Sequence, residues 1–143
     1  MELTTTTGPD IEAAKRLLRE SGLPIDVDRE GVALFVGRVG GRRVGVCGLE
    51  VRGSDALVRS VAVEPERRGE GYGTALVERL LDRAREREVR GVYLLTEGAA
   101  GFFETLGFER IERGAVPDAI RETPEFTTLC PASATCLYRT LDD

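Results

Sequence analysis

The chain has 143 residues, 41% hydrophobic and 31% charged, with a net charge of −5 at pH 7. That length suits one domain over 1–143. No apolar run approaches the ~20 residues that cross a bilayer, and the basic residues are scattered, which excludes the basic stripe of a nucleic-acid binder. The absence of histidine rules out a Ser-His-Asp triad, a Cys-His dyad and any His-ligated metal.

In chain order, residues 2–6 read as a short first strand. Gly8-Pro9-Asp10 signals a helix start. Ile11, Ala14, Leu17 and Leu18 then recur at three- and four-residue spacing, so an amphipathic helix is predicted to about Glu20, where Ser21-Gly22-Leu23-Pro24 stops it. Residues 25–30 are short and acidic, a candidate single turn of helix. Residues 32–36 predict a strand, Gly40-Gly41 a hairpin turn, and 44–51 the strand that pairs back. A two-residue turn at Ser54-Asp55 would lead into a central strand over 57–63 and place Glu50 opposite Arg59 and Arg52 opposite Leu57. Simple alternation puts Leu57, Arg59, Val61 and Val63 on one face.

The next stretch organises the rest. Pro65 ends the central strand, because proline offers no N–H to a ladder. Gly69-Glu70-Gly71-Tyr72-Gly73 follows, and directly behind it Leu76, Leu80, Leu81 and Ala84 mark the buried face of a helix predicted to about Glu88. Strand, glycine turn and helix start make an anion site: free backbone N–H groups converge at the helix N-terminus, and glycines let a ligand approach backbone that a Cβ would shield. The turn lacks the lysine of a P-loop, and its Gly-x-Gly-x-Gly spacing differs from the Gly-x-Gly-x-x-Gly dinucleotide fingerprint. Beyond the helix, 92–96 is a strand, 99–108 carries a short helix capped by Gly107, 109–112 can start a strand, and 133–141 supplies the last.

Arg68-Gly69-Glu70-Gly71-Tyr72-Gly73 resembles the (Arg/Gln)-x-x-Gly-x-(Gly/Ala) pyrophosphate loop of the GNAT acetyltransferase superfamily. Residues 99–108 resemble its second signature, usually Ala-x-x-Phe-Tyr-x-x-x-Gly-Phe. The element order, β-α-β-β-β-α-β-α-β, is similar to the GNAT order over nearly the whole chain. The resemblance implies an α/β (α+β) GNAT fold: a mixed, mostly antiparallel sheet with helices on both faces, splayed between the fourth and fifth strands. It implies acetyl-CoA as co-substrate, held along Val61, Ala62 and Val63 and by Arg68, Gly69, Gly71, Tyr72, Gly73 and Thr74, with Phe102 and Phe103 packing beside it. Residues 116–136, with Gly48–Val51, Leu57–Ser60 and Tyr93–Thr96, resemble the small acetyltransferases linked with arsenic resistance and short N-acetylglutamate-synthase-like proteins. The implied acceptor is a small amino acid or amino-acid-like toxic compound carrying a carboxylate. Arg59, Thr96 and Phe126 are its candidate contacts.

Within that frame the face of the central strand that bears Arg59 looks onto the acceptor. Glu50 is then a candidate general base acting through water, and Arg59 a bidentate anchor for a carboxylate; a solvated Glu50–Arg59 bridge is the competing reading. The oxyanion donor is expected from a backbone N–H near Val61 or Val63. Position 103, where many GNAT enzymes carry a proton-donating tyrosine, is Phe103. A thiol near pKa 8.5 still leaves well at neutral pH, with water, Ser133 or Tyr138 as alternative proton donors. Cys47, Cys130 and Cys136 read as small buried hydrophobes or, less plainly, as thiols gripping trivalent arsenic; no metal site is expected. The remaining expectations are a cytoplasmic monomer or homodimer with no nucleic-acid or membrane partner, the alternative function being a non-catalytic acyl-CoA-binding sensor.

Overall fold

The computed structural model describes residues 1–141. Seven strands form one sheet: β1 (Glu2–Thr5), β2 (Val32–Val39), β3 (Arg42–Arg52), β4 (Asp55–Val63), β5 (Gly91–Thr96), β6 (Glu109–Arg110) and β7 (Thr135–Thr140). Their spatial order is β1-β2-β3-β4-β5-β7-β6. Neighbours pair antiparallel, with β4 and β5 the parallel exception. That one parallel ladder joins only Asp55–Leu57 to Gly91–Tyr93, and past it the two strands part. The expected splay between the fourth and fifth strands is therefore present, and it opens toward their C-terminal ends. Among the described residues no helix is long and apolar enough to cross a membrane.

Helix α1 (Gly8–Glu20) begins at a capping box in which the backbone N–H and hydroxyl of Thr7 both donate to Asp10 Oδ2 at 3.1 Å; Pro9, placed where its missing N–H costs nothing, fixes the first turn. Its buried residues Ala14, Leu17 and Leu18 pack on one face of the sheet against Leu34, Val36, Val46 and Ala62. On the opposite face, α2 (Tyr72–Glu86) buries Leu76, Val77, Leu80, Leu81 and Ala84 against Phe35, Cys47, Leu49 and Val58. Each of those leucines contributes roughly 2–3 kcal/mol of burial. α2 ends at Glu86, two residues before the predicted end, and Glu88 beyond it adopts a left-handed φ of 60°. The short α3 (Ala100–Thr105) adds Phe103 to this face, while α4 (Asp118–Arg121) packs Ile120 on the α1 side against Leu57, Val116 and Cys136. A single π-helical turn spans Glu125–Leu129.

Four local expectations are corrected. Residues 25–30 form turns and no helix. The β3–β4 turn is Gly53-Ser54, with Arg52 paired to Asp55 and Glu50 to Leu57. Left-handed Gly53, φ 67°, takes the first turn position, where two-residue hairpins favour glycine. Glu50 therefore does not face Arg59 directly; Gly48 does. The fourth correction is the alternation of β4. Ala62 pairs with Val46 but Arg59 with Gly48, so β4 carries one extra residue, and Ser60 absorbs it with φ 60°. A bulge flips the faces beyond it. Leu57, Arg59 and Ala62 lie on the α1 side, whereas Val61 and Val63 join Val58 on the α2 side.

Candidate active site

The splay between β4 and β5 is the floor of a cleft of about 720 Å³. One end is the glycine turn. Gly69 and Gly71 are left-handed, φ 83° and 82°, a conformation costly for any other residue. Gly71 caps α2 without a side-chain hydrogen bond. The first intrahelical N–H bond in α2 is from Ala75 to Gly71 O at 3.2 Å, so the N–H groups of Tyr72, Gly73 and Thr74 are left at the helix end. A Cβ on Gly73 would meet Phe102 Cζ at 3.3 Å, so the turn and α3 are already in close contact. Arg67 and Arg68 border this end, adding positive charge to the helix dipole. Backbone donors, a dipole and two guanidinium groups around an open cradle suit a diphosphate.

The middle of the cleft is the free edge of β4. Glu64 N–H donates to Val44 O at 2.8 Å, so alternation along an antiparallel strand turns the N–H and C=O groups of Val63 and Val61 to the other edge, facing the gap. Arg68 Nε donates to Val63 O at 3.2 Å, as that orientation requires. Phe102 and Phe103 form the wall beyond, edge to face at 5.0 Å, with Phe103 edge to face with Phe108 at 5.5 Å. Phe103 is buried in this aromatic stack.

At the far end sits a group of charges. Arg59 is 3% exposed. Its Nε donates to Ser60 Oγ at 3.0 Å, its Nη1 to Asp26 Oδ2 at 3.2 Å, and its Nη2 to Asp26 Oδ1. Glu50 Oε1 and Glu125 Oε1 each stand 3.6 Å from this guanidinium. Glu50 is fully buried and accepts two bonds from Arg29, at 3.1 and 2.8 Å, and one from Arg52. Burial opposes its ionisation, yet the hydrogen bonds from Arg29 and Arg52 hold its pKa below the usual carboxylate value. Asp26 behaves alike: burial raises its pKa, and Arg59 and Arg29 more than offset that.

Of the residues singled out from sequence, Arg59, Val61, Ala62, Val63, Arg68, Gly69, Gly71, Tyr72, Gly73, Thr74, Thr96, Phe102 and Phe103 line this one cleft. Thr96 is partly committed, since its Oγ1 accepts the N–H of Ala99 at 3.1 Å. Glu50 and Phe126 lie outside the lining. Glu50 is sealed behind its arginines, and Phe126 packs against the cluster of Leu57, Val116, Ile120 and Cys136, with Arg113 over its ring at 5.7 Å. The thiols do not converge: Cys47 is in the core on the α2 side, Cys136 in the core on the α1 side, and Cys130 alone lines the cleft. Among the described residues no three His, Cys, Asp or Glu side chains are placed to hold a metal ion.

Sequence reasoning missed Asp26, Arg29 and Glu125. Asp26 and Arg29 come from a loop without periodicity. Glu125 follows Pro124, and proline before an acidic residue is a helix-start signal that marks the π-helical turn.

A family model described as "Acetyltransferase (GNAT) domain" matches residues 30–110. An amino-acid acetyltransferase of Mycobacterium tuberculosis is 42% identical over 73 residues, 50% of this chain and 41% of the relative, so the match spans well under half the relative's length. The crystal structure of Rv2747 from the same organism, in complex with CoA, superposes with a TM-score of 0.79 at 25% identity over 99% of both chains. N-acetylglutamate synthase from Neisseria gonorrhoeae, complexed with coenzyme A and N-acetyl-glutamate, superposes with a TM-score of 0.77 at 20% identity, covering all of this chain and 36% of that one.

Proposed function

Because the chain belongs to the GNAT acetyltransferase family, we propose that it is an acetyl-CoA-dependent N-acetyltransferase, residues 1–143 acting as one domain, whose acceptor is the amine of a small amino acid or amino-acid-like toxic compound. The observation that carries this reading is the continuity of the cleft. Anion-binding backbone at Gly71–Thr74, a free β4 edge at Val61–Val63 and a buried charged end at Arg59 lie along one opening.

Acetyl-CoA bound in that cleft supplies an acetyl group activated as a thioester. In this reading the N–H groups at the start of α2 and the guanidinium groups of Arg67 and Arg68 hold its diphosphate. Phe102 lines the passage between that end and the splay. A β4 N–H, that of Val61 or Val63, donates to the thioester oxygen and favours the charge that develops there. The fixed edge of a sheet suits this role, since the donor needs no reorganisation during reaction. Phe103 offers no proton, and the departing thiolate takes one from water or from the nitrogen that replaces it.

The acceptor end has an apolar rim of Leu23, Pro24, Leu129 and Pro131 around a charged floor. This combination selects a small molecule with an aliphatic body and a polar head. Glu50 and Arg59 shape the floor through each other and through Asp26 and Arg29. A carboxylate-bearing acceptor would reach Arg59 only by displacing Asp26. The test is thiol release from acetyl-CoA with a panel of L-amino acids and their phosphinic and arsinic analogues. Turnover of one of these amines by wild type and none by Gly71→Asp is expected. Turnover undiminished in Gly71→Asp would remove the glycine turn from the site.

A further inference from the structure

We propose that Glu125 is the general base of this reaction, taking the proton from the acceptor's ammonium group at the inner end of the cleft; the assignment rests on the acetyltransferase reading above. Glu125 opens the π-helical turn, is 3% exposed, and lines the same cleft as Ser60, Val61, Leu95 and Thr96. π-Helical turns are rare and are frequently found at functional sites.

Every other carboxylate near this end is already used or solvated. Glu50 is saturated by Arg29 and Arg52, Asp26 is held by Arg59 and Arg29, and Glu97 is exposed at the rim. The Glu125 carboxylate, by contrast, accepts no hydrogen bond from the described residues. Its nearest cation is Arg59 Nε at 3.6 Å, which donates instead to Ser60 Oγ. A carboxylate removed from water with its lone pairs unspent is basic. Burial pushes the Glu125 carboxyl up; Arg59 opposes this, Asp26 and Glu50 add to it, and Arg29 opposes it, leaving the pKa at about 7. At that value a base is about half ionised at neutral pH and still able to hold a proton. Cys130, on the same turn, is the other titratable group at hand; burial raises its pKa to about 11, so it stays a neutral thiol.

The turn is also held firmly. Phe126 N–H and Thr127 N–H donate to Thr123 O at 3.1 and 3.0 Å, and Cys130 N–H donates to Glu125 O at 3.0 Å. Phe126, anchored on Leu57 and Ile120, fixes the residue beside the base. Arg59 is a positioning residue here, a fixed positive charge that keeps Glu125 pointing at the floor of the cleft.

The proton and bond balance is simple. The ammonium gives one proton to Glu125, and the freed lone pair forms the C–N bond to the acyl carbon. The C–S bond breaks with its electron pair leaving on sulfur, and the second proton lost by nitrogen ends on that sulfur. Glu125 returns its proton to solvent. Amide, thiol and one released proton are the products.

The experiment uses the full chain and its Glu125→Gln and Glu125→Asp variants, with acetyl-CoA and with L-glutamate, L-glutamine, glycine and a phosphinic amino acid as acceptors. Calorimetric titration should give acetyl-CoA affinities within about twofold of one another, while kcat falls about 100-fold or more in Glu125→Gln. The rise of kcat/KM with pH toward neutrality should vanish in Glu125→Gln and persist, displaced, in Glu125→Asp. Infrared difference spectra should show a buried carboxyl that loses its proton near neutral pH in wild type and is missing in Glu125→Gln. A Glu125 ionised throughout pH 5–9 overturns the proposal, as does an amine turned over equally by wild type and Glu125→Gln. Acetyl-CoA binding with no turnover of any amine by wild type would overturn the acceptor reading and this assignment together, whereas equal turnover removes Glu125 alone.

Discussion

At the glycine-turn end of the cleft the polar groups are backbone N–H groups from consecutive residues, Gly69 to Thr74, whereas at the acceptor end they are charged side chains, guanidinium donors and carboxylate acceptors, from the 21–31 loop, β3, β4 and the π-helical turn. The first end is made by local conformation. It needs left-handed glycines and a helix start, and it has little to lose in stability. The second end is made by tertiary structure. Arg59 is a buried positive charge that bonds Asp26 and stands 3.6 Å from both Glu50 and Glu125, so it belongs to the fold as much as to the chemistry. Binding that must serve one invariant ligand is written into the backbone, while side chains brought from distant segments carry what has to be selective.

That contrast yields separable predictions. Arg59→Met should cost about 3–5 kcal/mol, because Asp26 and Glu50 would lose a buried positive partner; urea denaturation measures it. A loss below about 1 kcal/mol would mean that the charged end is not structurally coupled. Next in size is the pH dependence of stability. Glu125 has its ordinary value of 4.5 raised to about 7 in the fold. The native state therefore holds a proton that the unfolded chain has released, and stability should fall as pH rises from about 4.5 to 7. The Glu125 contribution to that fall is on the order of 3 kcal/mol. Denaturation of wild type and Glu125→Gln across this window should show the slope difference, and parallel curves would contradict it.

Gly71→Asp should cost only about 1 kcal/mol of stability, the penalty of a left-handed non-glycine residue, since open space surrounds its Cβ position. The same substitution should abolish the rise in Tm produced by acetyl-CoA. A stability loss as large as that of Arg59→Met would erase the distinction between the two ends. Smallest is Phe103→Tyr. Phe103 is buried in its aromatic stack but borders the cleft, so a hydroxyl that turns into the opening should change stability by less than about 1 kcal/mol and turnover should hold or rise; a large drop in activity would place Phe103 in contact with the acceptor.

The same division decides what the sequence revealed. The glycine turn, α1 and α2 and the hairpin β2–β3 were legible because each depends on neighbours in the chain: Gly8-Pro9-Asp10 at a helix start, leucines at helical spacing, glycines where φ must be positive; the splay, which joins distant strands, came only with the GNAT resemblance. The faces of β4 were misread because alternation assumes an unbroken strand, and a serine does not announce a left-handed bulge. The pairing of Glu50 was misplaced by the choice of turn, since a slip between Gly53-Ser54 and Ser54-Asp55 moves every partner along the strand. Asp26, Arg29 and Glu125 were invisible as a group, because nothing in their local sequence states that the 21–31 loop and the π-helical turn meet at Arg59.

Amide chemical-shift mapping on the 15N-labelled chain, titrated with acetyl-CoA, tests whether the splay and the glycine turn together hold the co-substrate. Saturable changes should be largest at Gly71–Thr74 and at Val61–Val63, with β1 and the N-terminal turn of α1 unmoved. Saturable binding whose largest changes fall outside the splay and the glycine turn, or no binding at all, would contradict that placement.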